Sequence, residues 1–195
     1  MTLSELSELS ELLALLGSMG SDPSEETAGL SELDHGLQCA YELARDRPDD
    51  QELQVAGLVH DIGHRFGPDE SHGVLGAEEV RGVLGDRVAG LVEAHVPAKR
   101  YLVTTDSSYQ SRLSAQSTFT LEVQGGKLAP DEVRRFLSSP YASDAVELRR
   151  ADDAAKVPGR AVPPLEHWVS ALEDLARSQP RAVSQRGARF PAAST

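Results

Sequence analysis

Leucine recurs at three- and four-residue spacing through the first sixteen residues, with serine and glutamate at most positions between. This spacing places the apolar side chains on one face and predicts an amphipathic N-terminal helix over residues 1–20. The glycines at positions 17 and 20 end that helix, and the following SDPSEE segment is typical of a loop before a new helix. The three consecutive Ser-Glu-Leu triplets are too short a repeat to form a solenoid.

Helical periodicity continues along the chain, broken by turns that contain proline, glycine or aspartate. No convincing alternation of apolar and polar residues indicates strands. We therefore predict an all-α, bundle-like packing of about eight helices, with residues 21–179 as the core domain. Residues 180–195, rich in Ser, Arg, Ala and Pro, are expected to form a mobile tail. After the N-terminal helix, helical patterns occupy roughly residues 30–46, 50–64, 72–85, 86–102, 114–125, 129–139, 141–157 and 164–177.

Length and composition fit one soluble domain, since the chain has 195 residues of which 39% are hydrophobic and 26% charged. Aromatic residues make up only 5%, so we expect a core built mostly from Leu, Val and Ala. The single cysteine, Cys39, excludes disulfides within the chain and cysteine-based zinc sites. No stretch reaches the ~18 uninterrupted apolar residues of a spanning helix, and the acidic N-terminus is unlike a secretory signal. A soluble cytoplasmic protein with no membrane association is therefore expected.

Charge narrows the class of partner. The net charge of −12 and the pI near 4.9 argue against a nucleic-acid polymer, because such partners select a basic surface. A small phosphorylated or phosphonylated ligand is still compatible, since a few cations in one pocket suffice to bind it. We expect a small-molecule ligand and a monomer or small homo-oligomer.

Two histidines and an aspartate interrupt the apolar run LVHDIGH at residues 58–64. On a continuous helix His60 and His64 would share one face, with Asp61 rotated by about 100° from His60. Taken singly, a histidine is more often a surface or hydrogen-bonded core residue than a ligand. Facing helices of a bundle can deliver several such side chains to a metal, and the neighbouring helical segments carry His35, His72 and His95.

An acidic pair, Asp152 and Asp153, completes the candidate ligands. Imidazole and carboxylate without thiolate suit Fe, Mn, Co or Zn rather than Cu(I) or an iron–sulfur cluster. The set is larger than one tetrahedral zinc needs, whereas two metals that share a carboxylate would use it fully. The residues alone leave open which aspartate is the ligand and which metal is bound.

In this order the candidate ligands resemble the motif of the HD-domain superfamily, named for its His-Asp pair. Most members are metal-dependent phosphohydrolases, and a smaller branch comprises mixed-valent diiron oxygenases. Over roughly residues 30–170 the chain is similar to that branch, and most of all to the glycine-forming 2-amino-1-hydroxyethylphosphonate dioxygenases. The His-Asp pair is weakly specific, whereas HVPAKRYL and QSTFTLEVQGG are far more specific to the oxygenases. The resemblance implies an HD-domain helical bundle around a dinuclear metal site.

The resemblance also implies a ligand set and a cofactor. Matching the family's Trp-Asp-Glu stretch onto residues 151–153 selects Asp152 over Asp153. Two iron ions, forming a mixed-valent Fe(II)/Fe(III) pair, would then share Asp61, with O2 as co-substrate. One iron would be held by His35, His60, Asp61 and Asp152, and the other by His72, His95 and Asp61.

For the substrate, the resemblance implies that His64 contacts it outside the metal shell and that Lys99 binds the phosphonate, both as catalytic residues. Lys99 is four residues after His95, which agrees with a position on the same helical face. Further residues match positions that line the anion pocket: Ser117, Thr120, Gln124 and Arg149. Without the resemblance, Lys99 and Arg149 would be interpreted as ordinary surface cations, and Ser117 and Thr120 as helix-start residues. The sixth histidine, His167, matches no ligand position and is expected to pack beside Trp168.

The segment before His35 departs from the family. In the glycine-forming enzymes a tyrosine and a glutamate here form a lid that contacts the substrate amine. This chain has no aromatic residue before Tyr41, and the ungapped match at the lid glutamate is Ala28. A quaternary ammonium group usually requires an aromatic cage, and no such cage is predicted in this segment.

The resemblance implies an oxygenase that cleaves the C–P bond of a 1-hydroxyphosphonate to give a carboxylic acid and phosphate. The alternative is an HD-family phosphohydrolase acting on a small phosphate ester or nucleotide, in which metals lower the pKa of an attacking water. A catalytically silent HD scaffold is a third class, and the full ligand set argues against it.

Overall fold

Eight α-helices and three short 3₁₀ helices make up the described part of the chain. The computed structural model describes residues 3–24 and 27–179; the predicted C-terminal tail, 180–195, and residues 25–26 of the segment before His35 lie outside it. No β-strand occurs within that part, so the all-α prediction is confirmed. The helices are α1 (Leu3–Ser18), α2 (Glu32–Asp46), α3 (Gln51–Val59), α4 (His72–Thr105), α5 (Ala115–Val123), α6 (Pro130–Ser138), α7 (Ala142–Ala154) and α8 (Leu165–Ser178).

Side-chain caps fix where the helices of the central region begin. Ser31 caps α2 through a reciprocal capping box, in which its hydroxyl accepts from the Asp34 amide at 3.0 Å. Asp50 caps α3 by accepting from the Leu53 amide at 3.2 Å. Such caps satisfy amide groups that lack a partner in the first helical turn, and each contributes about 1 kcal/mol.

The third helix ends earlier than predicted. The pattern favoured a helix through residue 64, but α3 stops at Val59 and is followed by a 3₁₀ helix over Ile62–Arg65. Between them Asp61 has φ −98° and ψ 4°, outside helical geometry. The prediction that His60 and His64 share the face of one α-helix is therefore wrong. The physical reason is close packing, because the Gly63 backbone lies directly against the first turn of α4.

The two helices predicted over residues 72–85 and 86–102 are confirmed as the two halves of α4, which are separated by a break at Gly85. This glycine has φ 90° and ψ 173°, a conformation that L side chains rarely adopt. The two halves of α4 therefore point in different directions, and each carries one of the predicted histidine ligands, His72 and His95.

The core is built mainly from leucine, valine and alanine, as the scarcity of aromatics predicted. Helices α2, α3, α4 and α7 pack around its centre, and the 3₁₀ turn after α3 packs on α4. Each fully buried leucine contributes roughly 1.5–3 kcal/mol. The leucines at positions 9, 12 and 16 of α1 belong to this same core, against α8 and α4.

One arginine ties three of the central elements together. Arg87 of α4 donates to both oxygens of Asp50, at 2.6 and 2.8 Å, and to Asp144 of α7 at 2.7 Å. Because Asp50 also caps α3, this network fixes α3, α4 and α7 relative to one another.

None of the helices in the described residues is long and apolar enough to span a membrane.

We predict that Gly63→Ala lowers the stability of the metal-free protein by more than 2 kcal/mol. A Cβ at Gly63 would lie 1.8 Å from the carbonyl oxygen of His72, so the turn would have to move away from α4. Denaturant unfolding of the variant measures the loss.

Gly82→Ala is the matched control, because that glycine lies in α4 with open space around its Cβ position. It should gain about 0.5–1 kcal/mol from helix propensity. Equal stabilities for the two variants would contradict the packing argument.

Candidate metal centre

The six residues predicted as metal ligands converge at one place between α2, α3, α4 and α7. The four imidazoles and Asp152 are all at least 96% buried, which is unusual for so many polar side chains. They come from four separate parts of the chain: His35 from α2, His60 and Asp61 from the end of α3, His72 and His95 from α4, and Asp152 from α7.

A backbone carbonyl orients each of these four imidazoles. In every case Nδ1 lies 2.5–2.9 Å from the carbonyl oxygen, so Nδ1 carries the proton and Nε2 presents its lone pair. This arrangement is typical of histidine ligands, in which the second ring nitrogen is fixed by a hydrogen bond. The pairs are His35 with Ala155, His60 with Gly57, His72 with Asp69 and His95 with Val92.

The Nε2 atoms fall into two groups on either side of Asp61. Its Oδ2 lies 3.4 Å from His35 Nε2 and 3.2 Å from His60 Nε2. Its Oδ1 lies 3.5 Å from His72 Nε2 and 3.6 Å from His95 Nε2. A single carboxylate thus faces two histidine pairs, one with each oxygen, as a bridging ligand would.

Asp152 adds a second carboxylate to the first group only. Its Oδ1 lies 3.3 Å from His35 Nε2 and 3.9 Å from His60 Nε2. Its neighbour Asp153 points elsewhere and accepts hydrogen bonds from Tyr109 and Arg149. The choice of Asp152 over Asp153 therefore agrees with the side-chain geometry.

Several nitrogen atoms of the centre require a cation. The Nε2 atoms of His35 and His60 are buried without a hydrogen-bond partner, and such orphans are rare in stable proteins. The Nε2 atoms of His72 and His95 lie 2.8 Å apart. With both Nδ1 atoms protonated, those two lone pairs repel unless a proton or a metal ion lies between them.

The electrostatics of the centre favour cations in the same way. Burial alone would raise the pKa of Asp61, but the surrounding histidines hold it well below its usual range. Burial opposes a charged His35, yet the neighbouring carboxylates of Asp152 and Asp61 raise its pKa to about 10. Burial lowers the pKa of His95, with the neighbouring His72 and His60 acting in the same direction. In the absence of metal a proton on His35 would balance the carboxylates, and a metal ion would replace that proton.

Two adjacent metal sites fit this donor set. Mutually close ligand atoms occur in His35, His60 and Asp61, and again in Asp61, His64 and His72. Imidazole and carboxylate donors without thiolate suit iron, manganese, cobalt or zinc.

His64 lies beside the second group rather than apart from it. Its ring stacks on His72 at 4.1 Å between centroids, and its Nε2 lies 3.8 Å from Asp61 Oδ1. Its Nδ1 lies 3.2 Å from an Asp69 oxygen, and the side chain is about one-third exposed to the pocket. This position allows contact with a ligand next to the metals, as the sequence predicted. It also allows direct coordination, which the sequence did not anticipate.

A cavity of about 280 Å³ opens from the metal centre, and Asp61, His64, His72 and His95 form part of its wall. Buried Lys99 also lines this cavity, and its Nζ donates to Thr120 Oγ1 at 2.8 Å. Other predicted substrate residues also line it, namely Thr120, Gln124 and Arg149. Larger grooves elsewhere on the surface contain none of the predicted site residues.

Ser117 differs from the other predicted pocket residues, because it lies behind the cavity wall. Its hydroxyl is fully buried and accepts from Arg149 at 3.3 Å and from Lys156 at 3.1 Å. Lys156 also lies 3.4 Å from Asp152 Oδ1. Sequence reasoning missed Lys156, although its position four residues after Asp152 was an available signal.

The sequence analysis also missed residues that support Arg149 from the other side. Tyr109 and Asp153 both contact its guanidinium, and burial raises the pKa of the Tyr109 phenol. Nothing in the local sequence pattern indicated that Tyr109 would reach α7.

The sixth histidine, His167, packs edge-on against Trp168, with 5.2 Å between the ring centroids. This contact agrees with the packing role that the sequence predicted for it.

Comparison with known proteins agrees with this centre. Residues 33–125 match the HD domain family. The hydroxymethylphosphonate dioxygenase of Gimesia maris is 36% identical over 74% of this chain and 77% of its own. The [1-hydroxy-2-(trimethylamino)ethyl]phosphonate dioxygenase (glycine-betaine-forming) of Leisingera caerulea is 32% identical over 73% and 77%. An uncharacterized protein of Acanthamoeba polyphaga mimivirus, L432, is 30% identical over 71% and 68%.

We predict that His72→Ala lowers the metal content of the protein by about one ion per chain. The second group would keep only one buried imidazole and one oxygen of Asp61, whereas the first group would keep all its ligands. Elemental analysis of protein loaded with iron under anaerobic conditions measures the change.

His167→Ala is the control, since that ring contacts Trp168 and no ligand. It should bind as much metal as the unmodified protein. Unchanged metal content in His72→Ala would refute the two-site assignment.

Proposed function

The chain belongs to the HD-domain phosphonate dioxygenases, and on that premise we propose that it oxidatively cleaves the C–P bond of a small 1-hydroxyphosphonate. The supporting observation is the position of Asp61, whose two oxygens face two histidine pairs at the floor of a cavity with a buried lysine. That combination offers two metal sites and an anion site within one small space.

The proposed cofactor is a pair of iron ions in the Fe(II)/Fe(III) state, with O2 as co-substrate. The residues that would hold one iron are His35, His60, Asp61 and Asp152, and those for the other are His72, His95 and Asp61. When bound, such a pair supplies the redox chemistry that activates O2, which amino-acid side chains lack. The contribution of the protein is to orient the substrate, neutralise its charge and restrict water.

Lys99 is proposed to bind the phosphonate. It is 3% exposed and lies on α4 one turn after His95, so its ammonium group faces the same cavity as the imidazole. A charge-assisted contact is strong in such a buried position. Thr120 holds the ammonium at 2.8 Å and thereby fixes where the phosphonate oxygens can lie.

Arg149 and Gln124 are proposed to complete the anion end of the pocket. Arg149 brings a second cation to the wall near Asp152. Gln124 donates to the Asp69 carbonyl at 3.1 Å, while its own oxygen is buried without a partner. That oxygen can accept from a protonated phosphonate or from the substrate hydroxyl, and either contact would orient the substrate.

The overall reaction is balanced without further reagents. A 1-hydroxyphosphonate and O2 give a carboxylate, inorganic phosphate and a proton. The hydroxyl-bearing carbon loses its hydrogen and its bond to phosphorus, and it is oxidised by four electrons as O2 is reduced. The buried His/Asp centre and the cavity restrict water around the reacting carbon.

The substituent on that carbon is proposed to be small and not a quaternary ammonium group. Within the described residues the cavity wall has no phenylalanine, tyrosine or tryptophan, so no aromatic cage is available for a trimethylated amine. This agrees with the absence of aromatics before Tyr41. Hydroxymethylphosphonate, the substrate in the name of the Gimesia maris relative, is therefore the first compound to test.

The test is oxygen-electrode screening of iron-loaded protein with a panel of 1-hydroxyphosphonates, combined with a phosphate assay. We expect oxygen uptake and phosphate release in equal amounts, fastest with small substituents. Phosphate release from phosphate esters without oxygen uptake would instead identify a phosphohydrolase. An Fe(II)/Fe(III) signal in electron paramagnetic resonance on substrate addition tests the oxidation state of the pair.

We predict that Lys99→Met raises the KM for the phosphonate by about 10- to 100-fold, the expected effect of losing one contact to a charged group. The methionine keeps the apolar length of the side chain, so packing around α4 should persist. Steady-state kinetics on hydroxymethylphosphonate measures the effect.

Lys127→Met is the matched control, because Lys127 is exposed after α5 and does not line the cavity. Its KM should stay within two-fold of the unmodified enzyme. A similar change in both variants would exclude a specific role for Lys99.

A further inference from the structure

Arg149 contacts four different side chains, and its Nε–Nη2 edge and its Nη1 group contact different ones. Its Nε donates to Tyr109 Oη at 3.0 Å, and its Nη2 donates to Ser117 and Asp153. Its Nη1 pairs with Asp152 Oδ2 at 2.6 Å. Among the described residues Nη1 has no further side-chain partner beyond this ion pair, and Arg149 borders the cavity.

Tyr109 and Asp153 close a ring of hydrogen bonds around the Nε–Nη2 edge. The Tyr109 hydroxyl donates to one Asp153 oxygen, and the other Asp153 oxygen accepts from Arg149. A guanidinium is planar, so fixing one edge fixes the direction of the remaining nitrogen. The ring therefore determines where Nη1 lies relative to Asp152 and the cavity.

Tyr109 comes from outside the helices that carry the metal ligands. It lies between α4 and α5, where its ring is buried in a small apolar cluster with Leu102, Val103 and Leu121. That packing holds the hydroxyl in place before any ligand binds. A rigid ring on a buried anchor loses little conformational entropy when it positions another group.

We propose that Tyr109 and Asp153 are positioning residues that aim the Nη1 group of Arg149 at the phosphonate. This inference rests on the proposed function, because it assumes an anionic ligand in the cavity. It adds two residues to the site that neither metal coordination nor direct contact with the substrate requires. It also gives separate tasks to the adjacent aspartates, Asp152 for metal and Asp153 for the arginine.

The first test is the binding of inorganic phosphate to iron-loaded protein under anaerobic conditions, measured by isothermal titration calorimetry. Tyr109→Phe keeps the buried ring and the net charge but removes the hydroxyl. We expect phosphate to bind about 10-fold more weakly, and the KM for the phosphonate to rise by a similar factor with kcat nearly unchanged. Metal content should equal that of the unmodified protein, because Tyr109 is not a ligand.

Tyr101→Phe is the matched control. It makes the same chemical change on α4, where the Tyr101 ring packs against Phe136 at 5.0 Å between centroids, away from Arg149. Its phosphate affinity should be unchanged. Phosphate affinity of Tyr109→Phe within two-fold of this control would overturn the proposal.

The Asp153→Asn variant tests the proposal through the direction in which phosphate affinity changes. Removing a negative charge near an anion site strengthens anion binding if the aspartate acts only through the electrostatic field. It weakens binding if the aspartate holds Arg149 in place, and weaker binding is the result we expect. Tighter phosphate binding in Asp153→Asn would contradict the positioning role.

The unmodified protein separates this inference from the proposed function. If it binds phosphate while Tyr109→Phe behaves identically, only the positioning role fails. If it binds no phosphate and consumes no oxygen with any 1-hydroxyphosphonate, the anion pocket fails and the positioning role fails with it.

Discussion

The structure depends on one carboxylate, Asp61, placed where it faces two pairs of imidazoles. Each of its oxygens lies 3.2–3.6 Å from two histidine Nε2 atoms. Such a position requires that the chain leave α-helical geometry after α3, because a continuous helix would carry His64 onto the face of His60. The break is made possible by Gly63, whose backbone packs directly against the start of α4.

The rest of the fold can be understood as support for that centre. Backbone carbonyls fix the four imidazoles in one tautomer, so their lone pairs converge without side-chain partners. Arg87 links α3, α4 and α7, three of the helices that carry or adjoin the ligands. The buried cluster of carboxylates and imidazoles is costly to form, and bound metal ions would offset that cost.

The positively charged side chains of the site form two groups. Arg149 and Lys156 both lie beside Asp152, while Lys99 lies on α4 and donates to Thr120. The protein carries a net charge of −12, yet Lys99 and Arg149 both line its cavity. Local placement, rather than overall charge, therefore suits the site to a small anion. The ring formed by Tyr109, Asp153 and Arg149 extends the site beyond the residues that touch the cavity.

The sequence by itself determined much of this protein. Helical periodicity predicted the all-α class, and the apolar faces predicted a core of leucine, valine and alanine. The order of histidines and aspartates, with the similar stretches around Lys99 and Gln124, indicated the family and the composition of the candidate centre. These features are readable because helix formation and burial depend on local spacing and residue type.

Only the tertiary structure decided how the side chains meet. It ended α3 at Val59 and brought His64 against His72. It also brought Tyr109 to the polar cluster around Arg149 and Asp153. These contacts join residues distant in sequence or depend on the exact backbone path. Packing between elements sets them, and a local pattern carries no information about that packing.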